Sequence, residues 1–247
     1  MIKSKTGGKR GTSQITSNIA QSTSTSNTYQ TFMNSNDDGK AKIIDTAIST
    51  AIPKYLANAS LQKFIYNTEM NDAPDVVTDK QLDAMNGVEI FRTVNEFKDG
   101  RLRMKWTAPE IAEQFQYGDI TRTNAGGGTM LGHGIYFADN FSHSQRNYGS
   151  YMNDINKTAT LRAKLNSNAR VYDYYKAVQD ARSEINSGSE LGKVLQKADS
   201  DSRGAIWALS RGYNVLKDSG SGYYVILSRK ALTVSSTIKS KEGNSKW

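Results

Sequence analysis

Residues 126–149, GGGTMLGHGIYFADNFSHSQRNYG, set two tyrosines, two serines and both of the chain's histidines beside a glycine-crowded loop. Backbone without side chains lets a ligand lie close to the main chain. Tyr136 and Tyr148 offer electron-rich ring faces, and Ser142 and Ser144 offer hydroxyls on one side of a predicted helix. A bound phosphate is the first chemistry to consider, and two common versions fail. No Gly-Lys-Ser/Thr closes the loop, which removes the Walker A reading. The spacing is not GxGxxG, and the glycines precede the strand, which removes the dinucleotide fingerprint. On composition alone, the three glycines 126–128 read as a flexible connector.

The string taken whole says more. Gly132-His133-Gly134-Ile135-Tyr136-Phe137-Ala138-Asp139 resembles the Gly-Lys-Gly-Ile-Tyr-Phe-Ala-Asp core of ADP-ribosyltransferases of the poly-ADP-ribose polymerase and diphtheria-toxin-like type, with His133 in place of Lys. Ser142-His143-Ser144 and Asn147-Tyr148 continue the motif with one extra residue. Ile90-Phe91-Arg92-Thr93-Val94 resembles the preceding strand of the arginine-type toxin branch. Gly222 to Val234, GYYVILSRKALTV, is similar to the late strand of that fold. Arginine on the first strand together with a Gly-Ile-Tyr-Phe strand also resembles domains of phage-encoded and secreted bacterial proteins. The likeness spans roughly residues 88–234 and is densest in the middle.

The resemblance implies an α+β fold, an ADP-ribosyltransferase-like split β-sandwich of two small facing sheets with a helical N-terminal lobe. It implies NAD⁺ as substrate, transfer of one ADP-ribose to a protein or nucleic-acid acceptor, and release of nicotinamide. Cleaving the nicotinamide–ribose bond passes through an oxocarbenium-like state, so such a site must hold the ring and stabilise positive charge on the ribose. By that likeness the cationic ring stacks between Tyr136 and Tyr148, and its carboxamide meets Ser144 and the main chain of Thr93. Arg92 supplies a fixed fork for a phosphate or ribose oxygen. Gly128, His133 and Gly134 line the cofactor. The family's catalytic Glu has no counterpart here: that place reads Asp218-Ser219-Gly220-Ser221-Gly222. Asp218 is the candidate acid beside Arg92 and Tyr136, and Glu110 or Glu113 could approach instead. A missing Glu argues against polymer formation more than against transfer. The alternative is an inactive member of the fold, serving as a structural or interaction module, for instance in a virion.

Composition narrows the remaining classes. The chain has no cysteine and two histidines in 247 residues, which removes thiolate catalysis, disulfides and Cys-ligated metal, and no metal is expected. No apolar run approaches the roughly 18–20 residues of a membrane span, and the N-terminus lacks the apolar core of a signal peptide. A cytoplasmic or virion-associated protein, or one delivered to a host cell, fits these features. The net charge of +8 is scattered, so a general nucleic-acid-binding role has little support.

The elements that must position the site follow from patterning. Residues 1–36 hold fourteen Ser/Thr, four basic residues and no acid, which predicts a disordered arm able to reach a virion or host partner. A helical lobe is expected over 37–87, with Ile44, Ala47, Ile48 and Ala51 on one face and Pro53 ending the first helix. Leu61 to Tyr66 is a second apolar stretch. Thr78 and Thr107 open capping boxes with Gln81 and Glu110. The NAD-binding domain is expected over 88–236: strands at 88–94, 134–138, 159–165, 169–174, 213–216, 223–227 and 231–234, and helices from 141, 175, 190 and 204. Residues 237–247 read as a polar tail.

Overall fold

Alternation in Thr158–Leu165 builds the centre of the molecule. Ala159, Leu161, Ala163 and Leu165 fall on one face of this strand and enter the core, and Thr160 and Arg162 fall on the other. The computed structural model describes residues 31–32, 34–49, 73–99, 104–117, 134–149, 158–198 and 200–240. The expected arm up to residue 30, the stretch 51–72 with its Leu61–Tyr66 segment, and the loop 118–133 lie outside the described residues.

The chain is α+β. Its strands are β1 (Asp75–Val77), β2 (Glu89–Asn95), β3 (Phe97–Asp99), β4 (Met104–Trp106), β5 (Ile135–Ala138), β6 (Thr158–Leu165), β7 (Val171–Asp173), β8 (Val215–Asp218), β9 (Tyr223–Ile226), β10 (Leu232–Ser235) and β11 (Lys239–Ser240). Its helices are α1 (Asp37–Ser49), α2 (Asp79–Ala84), α3 (Ala108–Tyr117), α4 (Phe141–Gly149), α5 (Tyr174–Ser187), α6 (Glu190–Lys197) and α7 (Arg203–Ser210). One mixed, open sheet runs in the order β1-β10-β6-β2-β5-β9-β8-β7, with β11 also on β6, and β3 and β4 form a separate ribbon. The β1–β10 and β7–β8 pairs are parallel and the other pairs of the main sheet antiparallel.

The expected pair of facing sheets is therefore corrected to one continuous sheet. Its two halves meet at β2 and β5, which share a single registered pair, Phe91 with Ala138. Joining them gives each strand's inner edge a hydrogen-bonding neighbour, which two separate sheets would leave open there. It also sets Ile90 and Val94 in one core with Ile135 and Phe137.

Both faces of the sheet are covered. The first core holds those four side chains with Leu161, Tyr224, Ile226, Leu232 and Val234, closed by Ile111 and Phe115 of α3. Thr107 starts α3: its hydroxyl and amide both bond Glu110, as the capping box predicts. The second core lies on the opposite face, where Leu216, Val225, Leu227 and Tyr136 meet α5, α6 and α7. α1 belongs to that layer and is not a lobe apart. Ala41 and Ile44 are buried in the second core, and Asp45 pairs with Lys197, Asp37 with Arg211. Phe32, placed in the arm by composition, is also buried there.

Several boundaries shift. β1 was not expected, because three residues show no period; it is stabilised as a parallel partner of β10. The β3–β4 ribbon and β11, inside the expected tail, were missed for the same reason. Asp218 closes β8, which begins two residues later than the pattern suggested. No helix among the described residues is long and apolar enough to cross a membrane.

Candidate functional site

The narrow β2–β5 seam places the predicted residues. Arg92 is two residues from Ile90 and Val94, so its Cβ emerges on the first-core face. It is 4% exposed, and its Nη1 donates to the Tyr136 carbonyl at 3.1 Å. The guanidinium thus occupies the gap beyond the Phe91–Ala138 pair and satisfies a carbonyl of β5. Glu89, three residues before Arg92 on β2, bonds Arg162 of β6.

Thr93 points to the other face. Its hydroxyl lies 2.9 Å from Ser144 Oγ and 2.9 Å from Thr160 Oγ1. The three hydroxyls are almost fully buried, and each offsets the desolvation of the next. α4 is held over the seam by this contact and by Phe141, whose ring meets Phe91 edge-on at 6.0 Å. The Tyr136 ring is on this same face, 6% exposed in the second core. The structure therefore brings Arg92, Thr93, Tyr136 and Ser144 together, with Arg92 entering from the opposite side of the sheet. Gly128, His133 and the side chain of Tyr148 lie outside the described residues.

Two expected positions acquire structural duties. A Cβ at Gly134 would stand 2.2 Å from Val225 Cγ1, so close packing of β5 on β9 already requires the glycine. Asp218 is 3% exposed, and its carboxylate accepts the amides of Gly220 and Ser221 and the Ser221 hydroxyl at 2.9, 3.2 and 2.6 Å. It closes the β8–β9 turn. Its charge also helps to raise the pKa of the Tyr174 phenol, which burial pushes up first and Asp201 further. Glu110 is engaged in its capping box. Glu113 lies beside Gln116 and Tyr117 in an open depression of about 430 Å³ between α3 and the Ser236–Ile238 segment. Comparison of the chain with protein-family models, curated proteins and solved structures gives no match. Among the described residues, no three His, Cys, Asp or Glu side chains converge as a metal site.

Some residues near the seam carry no sequence signal of their role. Arg162, opposite Phe91 across β2 and β6, bonds Glu89 at 2.7 Å and also pairs with Asp83. Burial opposes its charge, but the hydrogen bonds to Asp83 and Glu89 outweigh that, and its pKa is raised. Arg229 is fully buried and donates to the Phe115 carbonyl at 2.8 Å, capping the negative end of α3. At the start of α4, His143 Nδ1 lies 3.1 Å from Asp139 Oδ1, and its ring packs on Tyr223 at 4.6 Å. The spacing i, i+4 at a helix start could have indicated that pair; the ring contact needs the fold.

Proposed function

We propose that the chain is a mono-ADP-ribosyltransferase that uses NAD⁺ to modify a protein or nucleic-acid acceptor and releases nicotinamide, on an ADP-ribosyltransferase-like variant of the α+β fold. The observation that carries this reading is the convergence at the β2–β5 seam. Arg92 and Thr93, adjacent on β2, reach the Gly-Ile-Tyr-Phe-Ala strand and the Ser144 helix through 3.1 and 2.9 Å hydrogen bonds. These are the residue types the motif resemblance calls for, drawn from three separate segments of the chain. In use, Ser144 exchanges Thr93 for the nicotinamide carboxamide, the Tyr136 ring supports the pyridinium, and Arg92 turns its fork to a phosphate or ribose oxygen. The Thr93–Ser144 contact is buried, so α4 must shift for the carboxamide to replace it.

Incubation with labelled NAD⁺ tests the reading. Wild type should yield labelled acceptor or free nicotinamide, and Arg92→Ala and Tyr136→Ala should reduce turnover by at least 10²-fold, on the order expected for lost transition-state contacts. Silence of the wild type at high enzyme concentration overturns it. A second reading is a fold of this type without activity, kept for interaction, and the engagement of Asp218 in its own turn favours it. Calorimetric titration with NAD⁺ separates the two: binding with turnover supports the enzyme, and binding alone or none supports the module.

A further inference from the structure

Resting on the transferase reading, we propose that His143, held by Asp139, is the general base that takes the proton of the acceptor. Of the carboxylates expected to supply a base, Asp218 closes its turn, Glu110 caps α3, and Glu113 stands on α3, across the sheet from the Tyr136 ring. His143 is not so engaged. Its Nδ1 meets Asp139 Oδ1 at 3.1 Å, and its side chain keeps 22% of its surface in solvent. A carboxylate on Nδ1 selects the tautomer with the proton there and leaves the Nε2 lone pair to act as a base.

The pair is prearranged by the first turn of α4. Asn140 Oδ1 accepts the His143 amide at 2.8 Å, and Asn140 Nδ2 donates to the same Asp139 oxygen at 2.8 Å. Asp139 is held in turn by its own amide, which donates to the Gly222 carbonyl at 2.9 Å. Gly222 has φ +73°, and a Cβ there would meet Asp139 Oδ2 at 2.5 Å. The glycine thus leaves space for this carboxylate.

Position favours the role. His143 precedes Ser144, and its ring rests on Tyr223, the cross-strand partner of Ala138. Ala138 in turn pairs with Phe91, next to Arg92. The imidazole therefore stands at the solvent-facing end of the seam, on the same sheet face as the Tyr136 ring, where an acceptor can reach it. In the step, the C1′–N bond of NAD⁺ breaks and its electron pair leaves on nicotinamide. A lone pair of the acceptor hydroxyl or amine forms the new bond to C1′. The acceptor's proton passes to His143 Nε2 and then to water.

The experiment compares wild type and His143→Ala on the full chain, with labelled NAD⁺ and a lysate protein mixture as acceptor. Transfer should fall about 10²-fold or more, within the usual worth of a general base. NAD⁺ affinity by calorimetry should stay within about twofold, and added imidazole should restore part of the rate. Asp139→Asn should leave the far-ultraviolet circular dichroism unchanged while ¹⁵N NMR shows His143 losing its Nδ1–H tautomer. Transfer by His143→Ala at the wild-type rate overturns the assignment and leaves the transferase reading standing. A lost rate that imidazole does not restore also overturns it, as does a wild type with no turnover, which removes the transferase reading as well.

Discussion

Tyr172 shows how a single contact sets a side chain's chemistry. Its hydroxyl donates to Asp180 at 2.7 Å, and that hydrogen bond, more than desolvation, pushes its pKa up from the ordinary value to about 12. Asp180→Asn should return one tyrosine toward about 10, read from tyrosinate absorbance across an alkaline titration. The sign is that of a raised folded-state value. The contribution to stability is complete below the unfolded-state pKa of about 10 and is lost as pH climbs through about 12. Of the residues that meet at the seam, Arg92, Thr93, Tyr136 and Ser144 are singled out by the motif resemblance, and strand alternation alone sets Arg92 and Thr93 on opposite faces. Thr160 was not: nothing in TATLRAKL marks the hydroxyl at its third position as the partner of Thr93, a contact made across 67 residues.

Elements packed without space for a side chain carry their own prediction. Gly134→Ala would drive a methyl to 2.2 Å from Val225 Cγ1 and should destabilise the protein by roughly 1–3 kcal/mol, measured by urea unfolding. A change within a few tenths would mean β5 and β9 separate more readily than the structure indicates. Helices were the most readable elements. Thr78 with Gln81 and Thr107 with Glu110 form the predicted capping boxes, because cap chemistry is settled by residues three apart. Short strands were the least readable. β1, β3 and β11 have too few residues to display a period, and β1 and β11 are stabilised by partners distant in sequence, as Val76 is by Val234.

At the scale of the molecule, one sheet divides two cores. β5, β8 and β9 contribute to both: Ile135, Phe137, Val215 and Ile226 to the first, Tyr136, Leu216 and Val225 to the second. Neither core can lose its packing without loosening strands that the other shares. Leu161→Ala and Leu216→Ala, both at fully buried positions on opposite faces, should each cost about 2–5 kcal/mol. Each should leave a single transition in which the fluorescence of the chain's three tryptophans and far-ultraviolet circular dichroism coincide. Separate transitions for the two probes would show that the faces unfold independently.

The amino-acid sequence by itself determined the α+β character, the capped helices, the central strands and the small set of residues in the Gly-Ile-Tyr-Phe-Ala block. All of these are expressed in neighbours a few positions apart, where period and cap chemistry act. Only the tertiary structure decided that the strands form one sheet with a seam at Phe91 and Ala138, and that Arg92 reaches Tyr136 from the opposite face. It alone enclosed Asp218 in its turn and set His143 against Tyr223. Those outcomes depend on which buried polar groups find partners across long stretches of chain, and a choice among distant partners leaves no local pattern to read.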